Sequence, residues 1–297
     1  LNAFHGFLAG QLVFRYLYQH QQAVALHAMP LRREGWYFTH SLSGLLMGLV
    51  PQLLIVILGL LGGLKDLGAW TTWLAGAMAQ YLLFFSLSAF SAQVAGTQLG
   101  ALLVFLLPCG GLWVTDCILM DFISGHLPAM INGSTLLQTL QDLFWPALYS
   151  VIWEDAVPIG AFSWGQWGLS LGIAAGFWLW GLWMYRTRQL ECAGSFMARP
   201  RLGMVVHFWL CFLFTFAFRG LVNLLTLGVS DLITLPMALL VGCFGSEMLM
   251  RRSIRVFGRR QWVRFGACAL ALSLVMGSAY LPGVNARVWG PTIGGTD

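Results

Sequence analysis

Long apolar runs alternate along this chain with short polar connections. Seven of the runs, roughly Ser41 to Leu61, Trp70 to Ser91, Gln98 to Phe122, Gly165 to Tyr185, Met204 to Leu225, Leu232 to Met250 and Phe265 to Leu281, have the length a helix needs to cross about 30 Å of hydrocarbon. An eighth run, Ala3 to Tyr18, opens the chain and is too short to span by itself. It carries no n-region or cleavage site of a signal peptide, so it reads as the end of a transmembrane helix that begins upstream. The pattern predicts an all-α, polytopic transmembrane helix bundle with about seven complete spans and one truncated N-terminal span. Residues 1–281 form this transmembrane domain, and 282–297, polar and Gly-rich, read as the start of a truncated extracytoplasmic segment.

Charge orients the bundle. Thirteen of the sixteen Lys and Arg residues fall in three connections: Arg15, Arg32 and Arg33; Arg186, Arg188, Arg199 and Arg201; and Arg251, Arg252, Arg255, Arg259, Arg260 and Arg264. The alternate connections hold mostly acids, namely Asp66 beside Lys65, then Asp142, Glu154 and Asp155, then Asp231. Basic residues are retained on the cytoplasmic side of a bilayer, so the three clusters are inside and every other connection is fixed by alternation. The remaining inside connection, Ala92 to Thr97, carries no charge to contradict this.

Composition narrows the function. The chain has 297 residues, 58% hydrophobic and 9% charged, with mean hydropathy +0.75, which places it in a bilayer. Its net charge of +5 belongs to membrane boundaries and anionic headgroups, so membrane lipids are the expected contact and nucleic acid is not. The six cysteines, Cys109, Cys117, Cys192, Cys211, Cys243 and Cys268, are scattered singly without a C-x-x-C pair or a His at ligand spacing, and they read as small packing side chains. Trp70, Trp73, Trp164, Trp167 and Trp183 sit near the ends of apolar runs, as interfacial anchors do.

Glycines four apart, at Gly6/Gly10, Gly44/Gly48, Gly59/Gly63 and Gly168/Gly172/Gly176, allow helix backbones to approach closely, and the triple run is expected to be a packing face. Pro51, Pro108 and Pro236 lie inside spans and are expected to kink them. The longest outside connection, about Ile123 to Trp164, spaces Leu136, Leu137, Leu140, Leu143 and Phe144 as an interfacial amphipathic helix would.

No phosphate-binding loop, H-E-x-x-H, G-x-S-x-G or comparable signature occurs, and the histidines are not spaced as a metal site. No intrinsic enzymatic activity, cofactor or metal is therefore expected. Charge within the membrane is the remaining polar signal. Asp116 and Arg219 each lie about six residues, roughly 9 Å, below the outer ends of their spans. A lone charge at the membrane centre costs on the order of 2.5 to 3.5 kcal/mol, so an Asp116–Arg219 ion pair or shared water-filled cavity is predicted in the outer half of the bundle, where it would line the translocation path of any solute the bundle conducts. Asn223, one turn beyond Arg219, and Asp121 are alternative partners, and Arg219 snorkelling alone is the other arrangement.

Two inside segments are more specific: Leu26-His-Ala-Met-Pro-Leu-Arg-Arg-Glu-Gly-Trp-Tyr-Phe-Thr-His40, and Tyr185-Arg-Thr-Arg-Gln-Leu-Glu-Cys-Ala-Gly-Ser195. Both resemble the membrane-spanning permease subunits of ATP-binding-cassette (ABC) transporters of the type-two exporter class. In that family an "sLPv-R-R" turn leads a coupling helix toward the next span, and "yrrR-x-E-x-AG" closes a later one. The likeness extends over nearly the whole chain in the order of spans. It departs from the family in lacking the expected first helix and in ending just after the turn Tyr280 to Val288. The resemblance implies a multi-pass subunit of a bacterial cell membrane that pairs with a second permease, as a homo- or heterodimer, and with ABC ATPase subunits. It further implies that His27 to His40 docks on the ATPase, with Arg32, Arg33 and Glu34 as polar contacts and Trp36 and Tyr37 as apolar ones. An ordinary interfacial helix with basic anchors is the plainer reading of the same residues. The competing class is a membrane-embedded enzyme acting on a lipid or lipid-linked group, with Asp116, Asp121 and His207 as its candidates.

Overall fold

A computed structural model describes residues 2–28, 32–63, 66–111, 115, 164–188, 192–226, 231–253 and single residues between 258 and 270. Among them every regular element is helical: α1 (Asn2–Val13), a 3-10 turn (Arg15–Tyr18), α2 (His20–His27), α3 (Arg33–Leu61), α4 (Leu67–Val94), α5 (Gln98–Leu106), α6 (Trp164–Thr187), α7 (Pro200–Thr226) and α8 (Asp231–Arg251). The stretches Arg33–Leu61, Leu67–Val94, Gly168–Thr187 and Leu202–Val222 are long and apolar enough to cross a membrane. They coincide with four of the seven expected spans. The expected span ending at Leu281, the connection from Ile123, Asp116, Asp121 and the tail 282–297 lie outside the described residues or mostly so.

The chain divides into two compact units, one of Leu1–Gly111 with Thr139–Gly203 and one of Leu112–Gln138 with Met204–Asp297. In the first unit α4 is the central helix, touching α1, α3, α5 and α6. Its residues from Leu83 to Val94 are all buried, whereas the start of the helix near Leu67 is exposed. The helix opens on Asp66, whose carboxylate accepts from the Ala69 N–H (3.1 Å), satisfying one of the amides that the first turn leaves unpaired.

Helix α3 shows how a bundle in lipid inverts the soluble pattern. Its buried row is Tyr37, Ser41, Gly44, Gly48 and Gln52, small or polar, while Leu42, Leu46, Leu53, Leu54 and Ile57 are exposed. Lipid is as apolar as leucine, so burying large side chains gains little and close backbone approach with hydrogen bonding gains more. Gly44 and Gly48 lie against the rings of Phe85 and Tyr81, and Gly6 and Gly10 of α1 against Phe84, Phe85 and Ser88 of the same helix. Polar side chains bridge these seams: Gln52 donates to Asn2 (2.9 Å), Asn2 to Gln80 (3.2 Å), Gln11 to Ser88 (3.1 Å) and Tyr81 to the Gly44 carbonyl (2.5 Å).

The expected packing face at Gly168, Gly172 and Gly176 meets no partner among the described residues. All three are exposed with no described residue across them, and of the glycines spaced four apart those that meet a described neighbour are Gly6 and Gly10 of α1 and Gly44, Gly48 and Gly59 of α3. Of the three prolines, Pro108 sits in a π-helical turn, Leu107–Gly111, that continues α5, the kind of local rearrangement that absorbs a missing amide; α3 and α8 run unbroken through Pro51 and Pro236.

Candidate functional site

The first unit gathers the chain ends of three helices at a single polar junction. Ala95 and Met197 form an isolated bridge, with the Gly194 N–H donating to the Gly96 carbonyl (2.9 Å), Gly96 N–H to Phe196 (3.4 Å) and Ala198 N–H to Val94 (2.8 Å). Gly96 is required there, since a Cβ would collide with the carbonyl oxygens of Ser195 and Cys192. The connections at 92–98 and 186–200, both expected inside, therefore meet, and α3 joins them through its first turn.

Arg188 is the centre of this junction. Only 6% exposed, its guanidinium donates to the carbonyls of Ala92 (2.7 Å) and Gln93 (2.8 Å) at the C-terminus of α4 and of Leu17 (3.2 Å) in the 3-10 turn. A helix C-terminus carries partial negative charge and unpaired carbonyls, so an arginine fork meets it without a carboxylate. Burial lowers the Arg188 pKa from its ordinary value, the nearby Tyr18 acting in the opposite sense, and the group stays charged because that ordinary value is so high.

Beside it stands a largely aromatic cluster, Phe14, Tyr16, Tyr37 and Tyr185 with Leu182. The Tyr16 hydroxyl donates to that of Tyr185 (3.0 Å), and Tyr37 donates to the Trp178 carbonyl (3.0 Å). On the surface of the same junction Arg33 donates to the carbonyls of Arg186 and Arg188 (both 3.3 Å), and Glu34 pairs with Arg186 (2.9 Å), each about half exposed. Arg199 donates to the Thr187 hydroxyl and its guanidinium lies 5.9 Å from the centre of the Trp183 ring.

The candidate docking residues thus separate. Arg32, Arg33 and Glu34 are exposed at the opening of α3, and Trp36 is half-buried, stacked on His40 at 5.6 Å. Tyr37 differs from its expected role: it is fully buried in the aromatic cluster and packs α3 against α6. Its place follows from helical spacing, because Tyr37, Ser41 and Gly44 fall on the face turned to the bundle.

The second unit holds a different polar group. Glu247 of α8, 7% exposed, accepts from Arg251 Nε (2.5 Å) one turn along the same helix, and its other oxygen lies 3.5 Å from His207 Nε2 of α7. One turn away on the same two helices, Cys211 Sγ and Cys243 Sγ are 3.3 Å apart. Among the described residues no three His, Cys, Asp or Glu side chains are placed to hold a metal ion. Arg219 lies on α7, half-buried; Asn223 is in the same helix, but its side chain and Asp116 are outside the described residues, as is the predicted pair with them.

The chain matches no known family model, no curated protein and no solved structure. Its reading rests on its own residues. Arg188, Glu247 and the Cys211–Cys243 contact were not legible as sites in the sequence: Arg188 stood as one of four charges in a basic cluster, and the two cysteines are 32 residues apart. The sole local signal was the i, i+4 spacing of Glu247 and Arg251, which marks helical ion pairs.

Proposed function

We propose that this chain is the membrane-spanning permease subunit of an ABC transporter of the type-two exporter class. It pairs with a second permease and two ATPase subunits in a bacterial plasma membrane and moves its substrate by alternating access across about seven spans. The carrying observation is the junction of α3, α4 and α6. An exposed charge cluster, Arg32, Arg33 and Glu34, opens α3, and Arg33 and Glu34 are tied to the end of α6, where the following residue, Arg188, grips the end of α4. A push on that surface reaches three helices through hydrogen bonds and ion pairs rather than through a loose loop, which is what a subunit driven by a separate motor requires.

Arg32 separates docking from folding, because it makes no side-chain hydrogen bond or ion pair to the described residues, whereas Arg33 braces α6. Arg32→Glu, co-expressed with ABC ATPases of the same genome, is expected to reduce co-purification and stimulated hydrolysis while leaving the melting temperature unchanged. Unchanged co-purification and stimulation would return the segment to an interfacial anchor.

The contact of His207 with the buried Glu247 favours one second reading, a membrane-embedded enzyme acting on a lipid or lipid-linked substrate, with His207 as the acid–base group. That reading requires turnover by the purified chain without any ATPase, abolished by His207→Ala.

A further inference from the structure

Helices α7 and α8 meet where Gly242 faces Cys211 and Thr215. A Cβ at Gly242 would collide with the Thr215 hydroxyl and the Cys211 carbonyl, so the two backbones are in contact. Beside that point Cys211 Sγ and Cys243 Sγ lie 3.3 Å apart, both reduced and both partly exposed. A disulfide requires sulfurs at about 2.05 Å, roughly 1.3 Å closer, a distance that rotation of two short side chains supplies where the backbones already touch. Packing alone asks only for small side chains at such a seam. Two sulfurs in contact add a reaction that neither has singly.

The surroundings suit that reaction. His207 precedes Cys211 by one turn, and Glu247 follows Cys243 by one turn, so a titratable base, oriented by a buried carboxylate that Arg251 holds, lies on the same seam about 6 Å along the axis. We propose that Cys211 and Cys243 are an oxidisable dithiol, converted by hydroperoxides to an intramolecular disulfide that staples α7 to α8. One thiol, its proton carried by water to the base, attacks the terminal oxygen of the hydroperoxide. The O–O bond breaks, the alcohol (water, for hydrogen peroxide) leaves with that proton, and a sulfenic acid forms. The second thiol attacks that sulfur, the S–O bond breaks and water leaves with the second proton. Two thiols and one hydroperoxide thus give one disulfide, one alcohol and one water, with two electrons passing from sulfur to oxygen. The inference stands apart from the transport reading, since it concerns only the α7–α8 seam.

The test uses the full chain in membranes, treated with hydrogen peroxide or tert-butyl hydroperoxide, then denatured and probed with a maleimide that retards the band, with peptide mapping by mass spectrometry. In the parent chain the expected product is the linked Cys211–Cys243 peptide, absent after dithiothreitol. In a chain keeping only these two cysteines, both thiols disappear together and return on reduction, while Cys211→Ser or Cys243→Ser in that background leaves a single thiol that dimedone traps as sulfenic acid. Both thiols remaining reactive to maleimide after peroxide, or linkage of either to a different cysteine as the main product, overturns the proposal. The parent-chain peptide map decides the matter if the two-cysteine variant does not accumulate.

Discussion

Replacing Arg188 tests the junction most directly. Its guanidinium makes three hydrogen bonds, at 2.7, 2.8 and 3.2 Å, to carbonyls that belong to α4 and the 3-10 turn. Hydrogen bonds to a charged group contribute roughly 1.5 to 3 kcal/mol each, and desolvating the guanidinium removes several kcal/mol of that, so a net of about 3 kcal/mol is expected. Arg188→Met keeps the length and apolar stem of the side chain but leaves the three carbonyls without their donor. At about 2–4 °C per kcal/mol for a protein of this size class, the purified chain should melt roughly 6–12 °C lower. Arg188→Lys carries the same charge on a single compact point and cannot present a planar fork, so it should recover less than half of the loss. A thermal-shift measurement in one detergent decides it. A melting temperature for Arg188→Met within about 2 °C of the parent, or a lysine variant equal to the parent, would refute the clamp.

Gly44→Ala, placed against the Phe85 ring, should destabilise by about 1–3 kcal/mol through overpacking, while Gly172→Ala, which meets no described residue, should leave the isolated chain unchanged or slightly more stable; the same thermal shift compares them. If a second permease covers that exposed face, Gly172→Leu should lower the fraction of paired permease in crosslinking. Single cysteines at Arg33, Thr187 and Arg259 in a Cys-free background should be shielded from an impermeant outside thiol reagent and ones at Gly68, Ser134 and Asn285 should react, with labelling at Arg259 refuting the assigned orientation of the last spans. Asp116→Asn and Arg219→Gln should each impair transport, and the double variant should lose less than the sum; strict additivity would remove the pair.

The helices were legible because lipid imposes a length, and length survives in any sequence of apolar residues: the expected starts and ends of the spans at Trp70, Ser91, Gly165 and Tyr185 fall within three residues of α4 and α6. What packs on what was not legible. Gly44 and Gly168 open similar four-residue repeats, yet among the described residues only Gly44 meets a partner, because an aromatic ring 41 residues further along decides it. The same holds for charge. Arg188 and Arg186 are two residues apart in one basic cluster, and one is buried on carbonyls while the other is half exposed beside Glu34. Tyr37 and Trp36 are adjacent in a segment expected to face a partner, and helical rotation by 100° per residue sends the first inward.

The C-terminus of α4 receives its donor from a residue 96 positions further along the chain. At synthesis rates of roughly 5–20 residues per second, Arg188 is made on the order of 5–20 s after those carbonyls are. During that interval α1, α3 and α4 can associate through their glycine and amide seams, but the end of α4 must be hydrated or held by the insertion machinery. The junction is thus a late event in the life of each molecule, and a chain arrested before α6 would present an open, wet helix end to the quality-control proteases of its membrane.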